Sequence, residues 1–212
     1  MRIRPSTLVH ALVGAALATA AVYATQPPAE KPAPAPAQPG GADQQKMMEQ
    51  WMALMKPGKA HEQLAKQAGN WTCTMKLYAG GPGTPPMVSQ GKATMKSVLD
   101  GKFLQQEFEG QMMGMPFKGI GLTTFDNFRK QYVGSWADSM GTSILHMTGS
   151  MSPDGKTQTM FTQMDEPTMG EIAKTVKYVT RFVDDNTMNF EAWEVAYGND
   201  FKAFEIEYKR VK

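Results

Sequence analysis

The feature that most constrains the fold is a series of short runs rich in β-branched and aromatic residues, from Gly69 to the C-terminus. The runs are separated by turn sequences such as Asp100-Gly101 and Asp184-Asp185-Asn186, whose residues tolerate positive φ or form side-chain turns. Turns of this kind join neighbouring strands as hairpins. The pattern therefore predicts an all-β, antiparallel domain over residues 69–212.

Ten strands are predicted in this domain. They lie at 70–79, 89–99, 102–112, 115–126, 130–139, 142–151, 157–164, 172–184, 187–197 and 200–210. The last run alternates apolar and charged residues, with a slip near Phe204 that is typical of a β-bulge. We expect an up-and-down β-barrel of about eight to ten strands, whose interior is filled by side chains or holds one small ligand.

Two short helices are predicted ahead of the barrel, within residues 46–68. The run KMMEQWMALM at 46–55 places Met48, Trp51, Met52 and Met55 at helical spacings, and Pro57-Gly58 ends it. A second helical segment follows at 59–68. The apolar face of the first helix needs a partner, so we expect it to cover the mouth of the barrel as a mobile lid.

Residues 1–24 have the composition of a secretory signal peptide. Arg2 and Arg4 precede an apolar run of 14 residues at 11–24, which ends in small residues. A transmembrane helix needs about 20 apolar residues; a leader retained as an anchor is the alternative. We expect cleavage, a periplasmic or secreted protein, and no membrane span after cleavage. Residues 25–45 are rich in Pro and Ala, which predicts an extended, solvated linker.

Charge and cysteine content exclude several classes of protein. The chain has 22 basic and 20 acidic residues, without a basic cluster, so it lacks the electrostatic footprint of a nucleic-acid-binding protein. The single cysteine, Cys73, excludes an intramolecular disulfide and a zinc site built from several cysteines. Stability must therefore come from a packed core.

Four sequence stretches resemble a bacterial family of exported proteins, the domain of unknown function 1579. They are the run at 117–160, Gly69-Asn70-Trp71, DEPTMGE at 165–171 and DDNTMNFEAWE at 184–194. The resemblance implies a lipocalin-like barrel and no established reaction. Gly69-Asn70-Trp71 is also similar to the first-strand motif of calycins, whose Trp closes the barrel floor under a basic residue of the last strand. Arg210 is the candidate partner of Trp71.

The candidate ligand-binding residues are Trp71, Tyr132, Trp136, Asp138 and His146. Strand alternation places Tyr132, Trp136 and Asp138 on one face, where a carboxylate beside aromatic rings could bind a ligand. The alternative for Asp138 is that it begins the following turn. An inward His146 could ligate haem or a metal or act as a base, and the alternative is an ordinary surface histidine. We assign no catalytic residue, because the chain has no Gly-x-Ser-x-Gly elbow. We assign no metal site, because the helical run His61-Glu62-Gln63-Leu64-Ala65 lacks the second histidine of a zincin helix.

The sequence favours a non-catalytic, exported barrel that binds a small apolar or amphipathic ligand in the cell envelope. One alternative is a structural or interaction protein with a filled barrel, whose linker and first helix contact an envelope protein partner. Another is a copper or haem binder, since thioethers select Cu(I) and the chain has 18 Met. Methionine also fills irregular apolar gaps, which is the packing explanation of the same residues.

The leader generates the first testable prediction. Protein recovered from its own cells should begin near Thr25, because the order of charged, apolar and small residues directs cleavage there. N-terminal sequencing measures this directly. Soluble cytoplasmic protein that still carries Met1 would contradict the prediction.

Overall fold

The computed structural model of the protein describes residues 40–81, 83–166, 170–195 and 201–212. The predicted signal peptide and residues 25–39 of the predicted linker lie outside the described residues, whereas residues 41–45 of that linker form the start of a helix. The chain divides into two units, Met1–Asp43, of which residues 40–43 are described, and Gln44–Lys212. The helices are α1 Gly41–Met55 and α2 Lys59–Ala65, and the strands are β1 Gly69–Leu77, β2 Met87–Val98, β3 Phe103–Met112, β4 Met115–Asp126, β5 Gln131–Asp138, β6 Leu145–Met151, β7 Thr157–Glu166, β8 Glu171–Asp184, β9 Thr187–Glu194 and β10 Lys202–Arg210.

The ten strands form one closed antiparallel barrel in which each strand pairs with its neighbours in sequence and β1 pairs with β10. The predicted all-β, up-and-down barrel is thus confirmed. Turn chemistry accounts for the strand ends: Asp126, Asp154 and Asp184 each accept a hydrogen bond from a backbone N–H within their own turn. The register of β10 against β9 shifts between Lys202 and Phe204, which is the irregularity that the sequence pattern predicted.

Alternate residues of every strand face the barrel interior, and the register aligns them across the strands. Trp71, for example, lies between Ala93 of β2 and Arg210 of β10. The buried inward-facing residues are mainly apolar: Trp71, Cys73, Met75, Ala93, Met95, Leu104, Phe108, Phe117, Tyr132, Met160, Val176, Tyr178, Met188, Ala192, Ile206 and Tyr208. This layer supplies the hydrophobic core of the domain.

Helix α2 covers one end of the barrel, which we call the helix end. It packs against β2, β3 and β4 and buries His61 and Leu64. Gln63 Nε2 donates a 2.6 Å hydrogen bond to the Gly155 carbonyl in the turn between β6 and β7. The helix is therefore fixed to both sides of this end, where β1, β3, β5, β7 and β9 begin.

Trp71 and Arg210 close the barrel at the helix end, as the calycin resemblance implied. Trp71 is 3% exposed, and the Arg210 guanidinium carbon lies 4.2 Å from the centroid of its ring. Arg210 also donates hydrogen bonds to the carbonyls of Ala68 (2.6 Å), Lys66 (2.7 Å) and Asp185 (2.9 Å). One side chain thus joins the last strand to the first strand and to the chain that follows α2.

Helix α1 is not a lid over the mouth of the barrel, so that expectation was wrong. Asn127 Nδ2, in the turn after β4, donates hydrogen bonds to the carbonyls of Leu54 and Lys56, both 2.8 Å. Only residues 56–58 separate α1 from α2, so the last turn of α1 is held at the helix end. None of its residues is buried, and Trp51 is 61% exposed. No helix among the described residues has the length and hydropathy needed to cross a membrane.

The closure at the helix end generates a stability prediction. Replacing Trp71 with Ala should lower the free energy of unfolding by about 3–5 kcal/mol, because it removes a buried ring and leaves Arg210 without its aromatic partner. Trp193→Ala is the matched control, since Trp193 stands on the outer face of β9, and we expect a clearly smaller loss. Urea unfolding measures both values. A loss below about 1 kcal/mol for Trp71→Ala would show that the ring is peripheral.

Candidate functional site

The candidate site lies in the barrel interior at the end opposite α2, which we call the far end. Inward-facing side chains near this end are only partly buried, in contrast to those of the core layer. They include Trp136, Met164 and Phe204, together with the charged residues Asp138, Lys174 and Glu194. Partly buried aromatic rings beside a few charged groups are the kind of lining that small-molecule sites use.

Two glycines of β4 position Trp136. A Cβ at Gly119 would overlap the indole ring, and a Cβ at Gly121 would come within 3.0 Å of Trp136 Cε3. The indole therefore packs directly against the backbone of β4, in space that a side chain at Gly119 or Gly121 would occupy. Its Nε1 donates a 3.0 Å hydrogen bond to Asp138 Oδ2, which fixes the direction of the ring.

Asp138 joins the wall of the barrel to the turn after β5. Its Oδ1 accepts a 2.9 Å hydrogen bond from the Met140 backbone N–H, so the carboxylate both begins the turn and faces the interior. The interpretation that Asp138 begins the turn is thus confirmed, and its role in binding a ligand stays a prediction. Within the described part of the chain, no Lys, Arg or His side chain lies within ion-pair distance of this carboxylate.

Tyr178 of β8 is the next polar group in the interior. Burial and, to a smaller extent, the negative charge of Asp138 together raise the pKa of its hydroxyl to about 12. The effect of Asp138 shows that the two groups are close enough to interact electrostatically. Aromatic rings continue from Tyr178 along the wall, with 5.2 Å between the centroids of Tyr178 and Phe190 and 5.8 Å between those of Phe190 and Phe204.

Lys174 is the inward-facing cation of the far end, and two carboxylates already hold it. Its Nζ lies 3.2 Å from Glu171 and 3.3 Å from Glu194, and its side chain is 8% exposed. Burial by itself lowers the pKa of Lys174, but the hydrogen bonds and charges of Glu171 and Glu194 outweigh burial, so the net shift is upward. With Asp138 included, these groups leave the far end with a net negative charge.

Gln158 lies deeper in the interior, towards the helix end. The register places it between Met151 and Thr180, and its side chain is 7% exposed. Its amide nitrogen Nε2 has no hydrogen-bond partner among the described residues. A buried donor without a partner costs about 1–3 kcal/mol, so it marks a place where a further acceptor would be stabilising.

The structure brings together two of the five residues that the sequence indicated. Trp136 and Asp138 are hydrogen-bonded at the far end. Trp71 and Tyr132 belong to the buried layer near the helix end, where Tyr132 packs edge-on against Phe125. His146 is exposed on the outer face of β6, in a groove of about 490 Å³. The role of all five residues in ligand binding stays a prediction.

Sequence reasoning missed the contribution of β8 to the site. In this strand Lys174 and Lys177 fall on opposite faces of the sheet, so alternation does not indicate which face is buried. Phe190 and Glu194 share one face of β9 by alternation, but the sequence pattern of this strand does not indicate that this face is the interior. Across the described residues, no group of three or more His, Cys, Asp or Glu side chains is arranged to hold a metal ion.

Comparison with known proteins supports the fold and one family. A family model described as "protein of unknown function (DUF1579)" matches residues 56–210. A search of curated proteins found no match. The crystal structure of Rv2717c from M. tuberculosis is similar, with a TM-score of 0.53 and 15% identity over 74% of this chain and 100% of that chain. The S-type phycobiliprotein lyase CPES from Guillardia theta has a TM-score of 0.49 and 11% identity over 74% and 99%. At such identities the similarity concerns the fold alone.

Burial keeps three inward-facing ionisable groups neutral. It raises the pKa of the Cys73 thiol from 9.0 to about 12, that of Tyr178 from 10.0 to about 12, and that of Tyr208 further. In each case the folded pKa exceeds the unfolded value. The unfolded chain therefore loses these protons first as the pH rises, so stability is complete below about pH 9 and decreases above it.

This order of ionisation generates a prediction for alkaline pH. Above pH 9 the free energy of unfolding should fall by about 1.4 kcal/mol per pH unit through Cys73, and more steeply above pH 10 when both tyrosines contribute. Cys73→Ala should remove the decrease between pH 9 and 10 while keeping the steeper part. Urea unfolding at a series of pH values measures the slopes. Equal slopes below pH 10 in the two proteins would contradict the assignment.

Proposed function

Given that this chain belongs to the DUF1579 family of proteins of unknown function, we propose that it binds a small apolar or amphipathic ligand inside its barrel and is not a catalyst. The observation that carries the proposal is the interior itself. Within the buried layer the amide nitrogen of Gln158 has no partner among the described residues, and at the far end Trp136 and Phe204 keep part of their surface exposed.

The polar groups distinguish a binding site from a structural core. A core that only fills a barrel gains nothing from unpartnered hydrogen-bonding groups, since each costs free energy when buried. Gln158 Nε2, which is buried in the interior, has no hydrogen-bond partner among the described residues. A ligand with an apolar body and a few polar atoms would satisfy such groups.

The aromatic wall supports the same conclusion. Trp136, Phe190 and Phe204 face the interior, and each keeps part of its surface exposed. Burying the remaining apolar surface against a ligand is favourable by roughly 25 cal/mol per Å². The wall is also rigid, because glycines seat Trp136 and neighbouring rings contact Phe190.

One observation favours the alternative of an interaction protein. Helix α1 exposes an apolar set, with Met48 and Trp51 each 61% exposed. Exposed apolar surface of this kind is typical of a contact site. In that case the barrel is only a scaffold, and the intact protein does not bind a small apolar molecule.

We further infer that the protein works in the cell envelope, in the periplasm or outside the cell. The support is the sequence of residues 1–24, whose basic, apolar and small-residue segments follow the order of a signal peptide. The Pro- and Ala-rich residues 25–45 would then separate the barrel from the leader during export.

Titration with N-phenyl-1-naphthylamine, a neutral apolar fluorophore, tests ligand binding. We expect saturable, one-to-one binding to the purified protein after unfolding and refolding to remove any retained ligand. Trp136→Ala should weaken binding by about tenfold, because it removes one aromatic wall.

Trp193→Ala is the control in this titration, since it removes the same side chain from the outer face of β9, and we expect unchanged affinity. Circular dichroism checks that both variants remain folded. Absence of saturable binding to the wild-type protein would overturn the proposed function in favour of the interaction protein. An equal loss in the two variants would place the probe outside the barrel.

A further inference from the structure

The charges at the far end indicate which ligand would be stabilised there. The Asp138 carboxylate accepts one hydrogen bond on each oxygen, from the Trp136 indole and the Met140 backbone. A carboxylate has about four lone-pair positions, so acceptor capacity remains. A partly buried charge is costly unless an opposite charge pairs with it, and the described residues supply none for Asp138.

The protein has no spare cation to supply at this end. Lys174 is shared between Glu171 and Glu194. The stretches 167–169 and 196–200, which connect the strands here, contain no Lys or Arg. An incoming carboxylate would meet net negative charge, whereas an incoming cation would find a free partner.

Aromatic rings surround the same region. The indole of Trp136 is bonded directly to the carboxylate, and Tyr178 lies within its electrostatic reach and contacts Phe190. Ammonium groups are attracted to the faces of aromatic rings, and more strongly when they are desolvated. A carboxylate beside aromatic rings is therefore a favourable environment for an organic ammonium group.

We propose that the ligand is a cationic amphiphile, whose ammonium group pairs with Asp138 beside Trp136 and whose apolar part lies against Phe190 and Phe204. This inference rests on the proposed function and gives the ligand class of that same interior site. Gln158 is independent support that the barrel accepts an added molecule, because its side chain faces the interior, is more than nine-tenths buried and has an unpartnered amide nitrogen.

Competition among three ligands that share one alkyl chain tests the proposal. Dodecylammonium, dodecanol and dodecanoate, each kept below its micelle concentration, are used to displace N-phenyl-1-naphthylamine from the wild-type protein. We expect the affinity for dodecylammonium to be at least about tenfold higher than the affinity for dodecanol. This ratio corresponds to the usual contribution of a hydrogen bond to a charged group. Dodecanoate should bind more weakly than dodecanol.

Asp138→Asn removes the charge and keeps the size of the side chain and an oxygen for the indole N–H. Its affinity for dodecylammonium should fall to within about twofold of its affinity for dodecanol, while dodecanol binding stays unchanged. Asp100→Asn is the matched control, since it removes one negative charge from an exposed turn at the helix end. It should keep the full preference for dodecylammonium.

The outcomes separate the two proposals. Equal displacement by all three ligands would overturn the proposal of a cationic ligand, and so would an unchanged preference in Asp138→Asn. Either result would leave the proposal that the barrel binds an apolar ligand intact. Tightest binding of dodecanoate would assign the head group to Lys174 instead. Failure of the fluorophore itself to bind would overturn the proposed function.

Discussion

The barrel depends on the closure between β1 and β10, and the pair Trp71 and Arg210 fixes that closure at the helix end. Without it, both strands would present unpaired edges, which are sites of aggregation. Arg210 also satisfies carbonyls after α2 and in the turn before β9. The same side chain thus closes the sheet and attaches the helix that covers it.

That arrangement divides the interior into two halves with different roles. Near the helix end, Met95, Leu104, Met188 and Tyr208 are buried around Trp71 and provide stability. Towards the far end the interior keeps accessible aromatic and charged surface. A wide barrel needs a filled half to remain folded without a ligand, because apolar burial is the main favourable term that offsets chain entropy.

The strands were predictable from the sequence because local chemistry sets their ends. Turn residues such as Asp126 and Asp184 bond to their own backbone, and Trp71 with Arg210 followed a recognisable motif. The site was only half predictable. Trp136 and Asp138 are two residues apart on one strand, so alternation related them, whereas Tyr178 joins them only through the register of the closed barrel.

His146 and α1 show why the remaining positions needed the structure. Alternation along β6 does not indicate whether His146 faces inward, because only closure of the sheet decides which face of the strand is the interior. The apolar face of α1 suggested a cover over the mouth, yet the short connection to α2 and the amide of Asn127 hold it at the opposite end. An amphipathic pattern indicates that one face of a helix packs against an apolar surface. The length of the connecting chain decides which surfaces the helix can contact. For α1, the hydrogen bonds from Asn127 hold the last turn at the helix end, so the helix does not cover the far end as the amphipathic pattern suggested.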